Sequence, residues 1–390
     1  MADNKDKKVL NVPALRFPEF TDEWKRIKVS DLLDFYSTNS LSWEQLEYEP
    51  NEPYNLHYGL IHVGLPTLID LTKDKLPSIK NGNVPKKYEL CKEGDVAFAD
   101  ASEDTNEVAK VVEFYNLGGK KVVCGLHTIH GRNNNGQTAK GFLGYCFSST
   151  VFHNQIRRIA QGTKIYSINT RNFSEVFVGL PRRREQQKIA TLLRLIDERI
   201  ATQNKIIEKL ETLIKGIVET VISSQKPNTL IKNCLECNSS TLQESQVAET
   251  GTFPVYGATD ISGYTETAGI NGESILIIKD GSGVGTVKFV SGEYSYIGTL
   301  NSLTAKDGYC LKYIYFALQR FSFEPYKTGM AIPHIYFKDY GKAKIYCPSF
   351  SLQTLIAQKL SLIENKMEVE KRIILCYQLQ RSYLLSRMFI

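Results

Sequence analysis

The stretch LPRRREQQKIATLLRLIDERIATQNKIIEKLETLIKGIVETVIS, residues 180–223, decides the fold. Stepping alternately four and three from Ile189 gives Ile189, Leu193, Ile196, Ile200, Gln203, Ile207, Leu210, Ile214, Ile217 and Val221, nine of ten apolar. A 3.5-residue period held for about five heptads is the seam of a coiled coil, whereas a helix lying on one globular core keeps closer to 3.6. The spacing predicts one long helix that pairs with another.

The second helix is found at a constant offset of 167. Residues 162–223 align with 329–390 without a gap, and 12 of 62 pairs are identical, among them Gly162/Gly329, Ile168/Ile335, Pro181/Pro348, Gln186/Gln353, Ile189/Ile356 and Leu193/Leu360. The same steps from Ile356 give Ile356, Leu360, Ile363, Met367, Glu370, Ile374, Tyr377, Arg381, Leu384 and Met388, eight of ten apolar. Two copies at so long a period make a duplicated unit of domain plus helix, not a solenoid. The first helix ends near Ser223, and a short polar linker leads into a second domain that ends at Pro348. If the ends of that domain lie close together, the second helix starts where the first stopped and runs back antiparallel. Gln203 and Glu370 are the same step of the two seams and are expected to meet as one central polar layer, a device that fixes register.

Residues 14–181 and 224–347 are mixed, with short β-branched and aromatic runs between Gly and Asn turns. SILIIKD and TVKFV flank Gly281-Ser-Gly-Val-Gly285 in the second; DVAFAD and VAKVVEF flank a comparable turn in the first. The starts of the two domains match at Ile27-Lys28 and Ile231-Lys232, an offset of 204, so the first carries about 37 extra residues, placed around 40–75. Of the net charge of +6, residues 182–223 and 348–390 hold +3 each and both domains are neutral. Apolar residues at 42% and charged residues at 23% exclude wholesale disorder. No apolar run reaches membrane-spanning length. The charged start MADNKDKK shows no secretory signal, and eight scattered cysteines suit reduced thiols, so a cytoplasmic location is expected.

Signatures of chemistry are missing. There is no Gly-x-Ser-x-Gly, no His-Glu-x-x-His, no Walker loop and no Asn-Pro-Pro-aromatic tetrapeptide. The glycine turn at 281–285 lacks the Lys-Ser/Thr ending of a phosphate loop and is followed by a strand pattern, so a hairpin turn is expected. Cys234-Leu-Glu-Cys237 is a single CxxC with no second pair, and Cys124, His127 and His130 do not follow a usual zinc spacing; no metal site is expected. Three function classes stand at this point: a nucleic-acid recognition protein, a coiled-coil protein-interaction scaffold with no DNA role, and a nucleic-acid enzyme with dispersed catalytic residues.

The residues Val12-Pro-Ala-Leu-Arg-Phe-Pro18 followed by Trp24, Phe253-Pro-Val-Tyr-Gly257 continuing to Gly263-Tyr264, and Leu180-Pro181 followed by Glu185-Gln186 and the long helix carry a resemblance. In their order and duplication the chain resembles the specificity subunit of type I restriction–modification enzymes over essentially its whole length. In the second copy Leu352-Gln353 stands where Glu185-Gln186 stands in the first. The resemblance implies an α+β fold: two mixed α/β target-recognition domains separated by two long helices forming an antiparallel coiled coil, a pseudo-two-fold internal repeat. The segments are 1–181, 182–223, 224–347 and 348–390. It implies a noncatalytic chain that reads a bipartite site in double-stranded DNA. Two methyltransferase subunits using S-adenosylmethionine to methylate adenine N6, and two restriction subunits driven by ATP with magnesium, are the implied partners. No cofactor is expected on this chain.

Candidate DNA contacts follow from residue type and position. The repeated turn before each long helix resembles the segment that family members place against DNA, and offers Lys164, Tyr166, Ser167 and Asn169 in one copy and His334 and Tyr336 in the other. Arg132, Asn133, Asn134 and Gln137 have the side chains that pair with guanine and adenine edges. Lys73, Lys75, Lys80, Lys86 and Lys87, with Asn81, form a basic cluster suited to phosphates or simply to solvating an insertion. Lys279 and Lys288 flank the glycine turn of the second domain. For each group a solvated surface loop is the competing reading.

Overall fold

In a computed structural model, residues 11–390 are described. The chain divides into two compact units, 1–203 with 373–390, and 204–372. The N-terminal residues MADNKDKK lie outside the described residues.

The first unit holds a five-stranded sheet and a four-stranded sheet. In the larger sheet Thr128–Arg132 pairs antiparallel with Asp34–Tyr36 and with Val96–Ala99, which pairs in turn with Val111–Asn116. Leu68–Asp70 adds the last strand, parallel to Val111–Asn116. Short helices Phe142–Phe147 and Thr150–Ile159 cover one face. Their rings close an aromatic core on Phe98, which lies 4.9 Å from Phe147 and 6.4 Å from Phe152. The second unit repeats the plan with two four-stranded sheets. Ser274–Ile278 and Val287–Val290 form an antiparallel hairpin, so Gly281–Gly285 is the turn expected from sequence.

Comparison of the two domains moves one boundary. Lys28 pairs with Phe177, and Leu230 with Lys344. The Val29 amide donates to Val176 O, and the Ile231 amide to Ala343 O. Val29, not Ile27, is therefore the counterpart of Ile231, and the starting offset is 202 rather than 204. Strand Leu68–Asp70, which has no counterpart in the smaller sheet, falls inside the expected insertion.

The long helices run over Arg183–Val218 and Phe350–Arg387. In the first unit the start of one packs with the end of the other: Ile189, Leu193 and Ile196 share a core with Leu384, Leu385, Met388 and Phe389. In the second unit Val218 and Ile222 share a core with Ile356, Ala357 and Leu360. Start meets end in both, so the pairing is antiparallel. Ile200, Ile207, Leu210 and Ile363 are half-buried along the seam, and Ile374 is buried. Arg381 takes a seam position because Asp197 accepts from its Nε at 2.6 Å and Thr67 Oγ1 from its Nη2 at 2.8 Å. Glu370 is buried and pairs with Lys366 one turn earlier; Gln203 is half-buried.

The seam reading fails at its end. Val221 is exposed, and Val218 and Ile222 are buried instead. Here the helix widens into a π-turn over Glu219–Ser223, closed by the Ser224 amide on Glu219 O. A wider turn carries more residues per circuit and rotates the buried face away from the 3.5-residue step.

Both helices are latched to the domain before them by the same residue. Gln186 Nε2 donates to Pro181 O at 2.8 Å, and its Oε1 accepts from the Ala139 amide at 2.7 Å. Gln353 Nε2 donates to Pro348 O at 2.8 Å, and its Oε1 accepts from the Cys310 amide at 3.0 Å. Glu185 is buried, accepting both Arg16 Nε at 2.6 Å and Arg16 Nη2 at 2.8 Å, with Trp24 Nε1 at 3.3 Å. The scattered sequence signals Arg16, Trp24 and Glu185 are thus one ion-paired cluster. A buried carboxylate without partners would be costly. The second copy has Leu352 at this position, 41% exposed, so no charge there needs a partner.

Candidate nucleic-acid interface

The repeated turns form the same local structure in each unit. The Gln161 and Ser167 amides each donate to the other's carbonyl, at 2.9 and 2.8 Å, and Thr328 and His334 do the same at 2.9 and 2.7 Å. Gly162 and Gly329 open the two loops at φ 133° and 89°. A Cβ on Gly162 would lie 1.9 Å from Ile165 O, and on Gly329 2.3 Å from Ile332 O, so only glycine closes either turn.

Each loop leans on a segment distant in sequence. Tyr166–Ser167 pairs with Ala101–Ser102. In the second unit the Gly281 amide donates to Pro333 O at 3.0 Å, and His334 Nδ1 lies 2.7 Å from Asp280 Oδ1. The glycine turn of the hairpin is therefore a wall of the second loop, a role that local sequence did not suggest. Ala101–Ser102 was missed for the same reason: the pairing spans more than sixty residues and leaves no periodic trace.

Lys164 and Ser167 are exposed and Tyr166 is half-exposed. Asn169 is also exposed, but its Oδ1 accepts from the Asn172 amide at 2.8 Å and caps the helix Thr170–Ser174. Tyr336 is 48% exposed at the start of helix Phe337–Tyr340, the counterpart of that helix. Loop tips carry free apolar groups as well: Ile165 is 62% exposed and Ile332 58%.

The 132–137 segment separates into two kinds of residue. Arg132 is buried, not offered to a base. Its Nε and Nη2 donate to the two Asp95 oxygens at 2.8 Å each, and Nη1 to Glu89 at 2.7 Å. Its guanidinium lies 4.3 Å from the Tyr36 ring centroid. The paired Asp95 and Glu89 carboxylates hold its proton more tightly than usual. Asn134 donates to Asp34 and Tyr36, and Asn133 Oδ1 accepts from the Gln137 amide at 3.3 Å. The Asn134 and Gln137 side chains remain at the surface.

The lysines divide likewise. Lys75, Asn81, Lys86 and Lys87 are exposed. Lys73 is exposed and pairs with Asp70 at 3.3 Å, while Lys80 donates to Glu44 O at 2.7 Å. Lys279 is half-buried. Lys288 pairs with Asp260 and sits 4.7 Å from the Tyr256 ring centroid. His127, considered with Cys124 at the sequence level, turns out to the surface toward Asp100 at 3.2 Å. Cys234 turns inward and donates to Ile231 O at 3.2 Å.

The family model described as type I restriction modification DNA specificity domain matches residues 115–212 and 233–375. The chain therefore belongs to the type I restriction–modification DNA specificity family. It is similar in fold to the S subunit of a type I restriction–modification system from M. genitalium, with a TM-score of 0.67 at 18% identity over 97% of this chain and 99% of that one. A second similar structure comes from work on complex assembly and conformational transition of the type I R-M system. It has a TM-score of 0.54 at 14% identity, covering 93% of this chain and 96% of that one. The chain has no significant match among curated protein sequences. Among the described residues no helix is long and apolar enough to cross a membrane. The chain is a DNA sequence-specificity protein, and the family match leaves the non-DNA scaffold reading without support.

Proposed function

We propose that each domain reads one half of a bipartite duplex site, and that the two long helices set the spacing between the halves. The observation that carries this is the pair of repeat-equivalent loops, 162–169 and 329–336, each closed by the same glycine and the same strand-like pairing. Lys164, Ser167, Asn169 and Tyr336 are exposed polar groups there. Lys164 is suited to a phosphate. The Asn169 amide nitrogen stays available beside its capping oxygen. Lys75, Lys86, Lys87, Asn81 and Gln137 would add contacts from the rest of the first domain, and Lys279 and Lys288 from the second. Local clusters must carry the attraction, since each domain is neutral overall.

The chain would do no chemistry itself. Two methyltransferase subunits would supply S-adenosylmethionine-dependent adenine N6 methylation, and two restriction subunits would supply ATP- and magnesium-dependent cleavage, all in the cytoplasm. The outer face of the second helix supports a docking role. Leu355, Leu362 and Val369 recur every seven residues, away from the seam, and are 50%, 64% and 48% exposed. An apolar stripe of this kind is suited to packing against partner helices.

The test is to map methylated adenines in DNA from cells that express the chain with its cognate methyltransferase subunit. Methylation at one bipartite sequence, lost when the chain is omitted, is the expected result. Methylation by the purified chain alone, or of an undivided site, contradicts the reading.

A further inference from the structure

Two buried cysteines and a buried histidine converge where the two sheets of the first domain meet. Cys124 ends strand Val122–Cys124 of the smaller sheet, and His130 lies in strand Thr128–Arg132 of the larger. Cys91 comes from the segment before Val96–Ala99, held by its amide on Val122 O at 2.8 Å. One ligand atom from each of the three lies within 4.8 Å of the others. All three side chains are at least nine-tenths buried.

The histidine is set up as a ligand. Its Nε2 lies 2.7 Å from Asp95 Oδ2, and Asp95 is itself fixed by Arg132 and the Lys92 amide. Nε2 then carries the proton, and Nδ1 presents a lone pair. Nδ1 is buried and has no hydrogen-bond partner. An orphaned ring nitrogen in a core is unfavourable, because burial takes away its water without supplying another partner. A carboxylate holding the far nitrogen is the usual outer partner of a metal-bound imidazole. The sulfurs agree. Cys91 and Cys124 Sγ are 3.6 Å apart, and two thiolates about 2.3 Å from a tetrahedral ion stand about 3.8 Å apart.

We propose that Cys91, Cys124 and His130 Nδ1 bind one thiophilic divalent cation of the zinc class, which ties the two sheets of the first domain together. Two thiolates neutralise the ion's charge, so the complex adds no net charge to the core. A cleft of about 270 Å³ bordered by Asn39, Glu89 and Cys124 opens beside Cys124, and a water entering from it would take the fourth position. The sequence hid the site because Cys91 stands 33 residues before Cys124 and the nearer His127 points elsewhere.

The experiment uses the full chain, purified without a metal-affinity tag and in a phosphine reductant. Zinc content is measured by mass spectrometry, before and after a mercurial blocks the thiols. Cobalt(II) is then exchanged in and its thiolate charge-transfer absorption recorded. The expected result is about one zinc per chain, released by the mercurial, with a two-thiolate cobalt band. Cys91→Ser, Cys124→Ser and their double variant should lose at least about tenfold in bound zinc, while Cys376→Ser keeps the full amount. Less than about half an ion per folded chain, no thiolate band, or full zinc retention in the double variant would overturn the proposal. If the double variant does not fold, the zinc stoichiometry and cobalt spectrum of the native chain decide the matter alone.

Discussion

Asp197 and Glu364 stand 167 residues apart on different helices, and each accepts a tyrosine hydroxyl from its own domain. Tyr145 Oη donates to Asp197 Oδ2 at 2.8 Å, and Tyr315 Oη to Glu364 Oε1 at 3.3 Å. Both tyrosines are held in protonated form, by burial first and by the adjacent carboxylate second. Each carboxylate also meets a cation, Asp197 with Arg381 at 2.6 Å and Glu364 with Lys312 at 2.7 Å. The duplication thus extends to a polar joint between domain and helix.

Asp197→Ala should therefore destabilise the first unit. It leaves Tyr145 and Arg381 without their shared acceptor, at an expected cost of about 1–3 kcal/mol. Glu364→Ala should cost less, because its hydroxyl contact is longer. Hydrogen exchange resolved by segment checks this: protection should fall in the unit that carries the change.

Glu113 gives a pH signature. It is fully buried, and burial pushes its carboxyl up to about 7 against the pull of amides from Gly141 and Gly144. The unfolded side chain titrates near about 4.3. Between those values the folded chain keeps a proton that the unfolded chain has lost. Its contribution to stability therefore declines by up to about 4 kcal/mol as pH rises through that window and is flat above it. Glu113→Gln should flatten that part of the profile. Urea midpoints at pH 5 and pH 8 for both proteins measure it.

Asn169 has two roles that alanine alone cannot separate. Asn169→Ala removes the cap and should cost about 1 kcal/mol of stability. Asn169→Asp keeps a capping oxygen but removes the amide donor and adds a negative charge. Its folding should match the native chain while DNA binding weakens. Lys164→Ala should lower affinity for every sequence and reduce the salt slope by about one. Unchanged binding by both Lys164→Ala and Asn169→Asp would make this loop a spectator.

Arg132→Ala should act on folding rather than on readout. It strands buried Asp95, and breaking such a pair costs about 3–5 kcal/mol. Loss of thermal stability should accompany any loss of DNA binding. A stable variant with altered sequence preference would show that Arg132 reaches a base.

A heptad inserted into both long helices, between Gln203 and Asn204 and between Arg372 and Ile373, keeps the seam in phase. It adds about 10.5 Å of helix. At about 3.4 Å per base pair, the preferred spacer should lengthen by roughly three base pairs. That length also turns DNA by about 100°, so failure to bind any spacer is the other result a rigid ruler allows. Methylation at the original spacing by a folded double-insertion variant would show that the helices do not set the distance.

Much of this was legible because it is periodic or repeated. A seam every 3.5 residues and a gap-free offset located both helices, their antiparallel sense and the loops before them. What escaped was set by long-range pairing. Arg132 looked like a base reader in a polar run, but Asp95 and Glu89 claim it from about forty residues away. The Cys91–Cys124–His130 cluster has no motif spacing, since three separate segments bring it together. The slip at Val221 depends on a π-turn, which the alternation of four and three steps does not foresee.

The division of the chain has a consequence for the order of its synthesis. Residues 204–372 are contiguous, so the second unit has all its parts once residue 372 leaves the ribosome. The first unit does not. Its core includes Leu384, Met388 and Phe389, the Leu15 amide donates to Arg387 O, and the Gly179 amide to Ile390 O. The first domain to be translated is thus the last to be completed, the reverse of the usual N-terminal-first order. Until then Ile189, Leu193 and Ile196 lack the cover of Leu384, Met388 and Phe389. Deleting residues 384–390 would accordingly damage the half that begins at the opposite end of the chain.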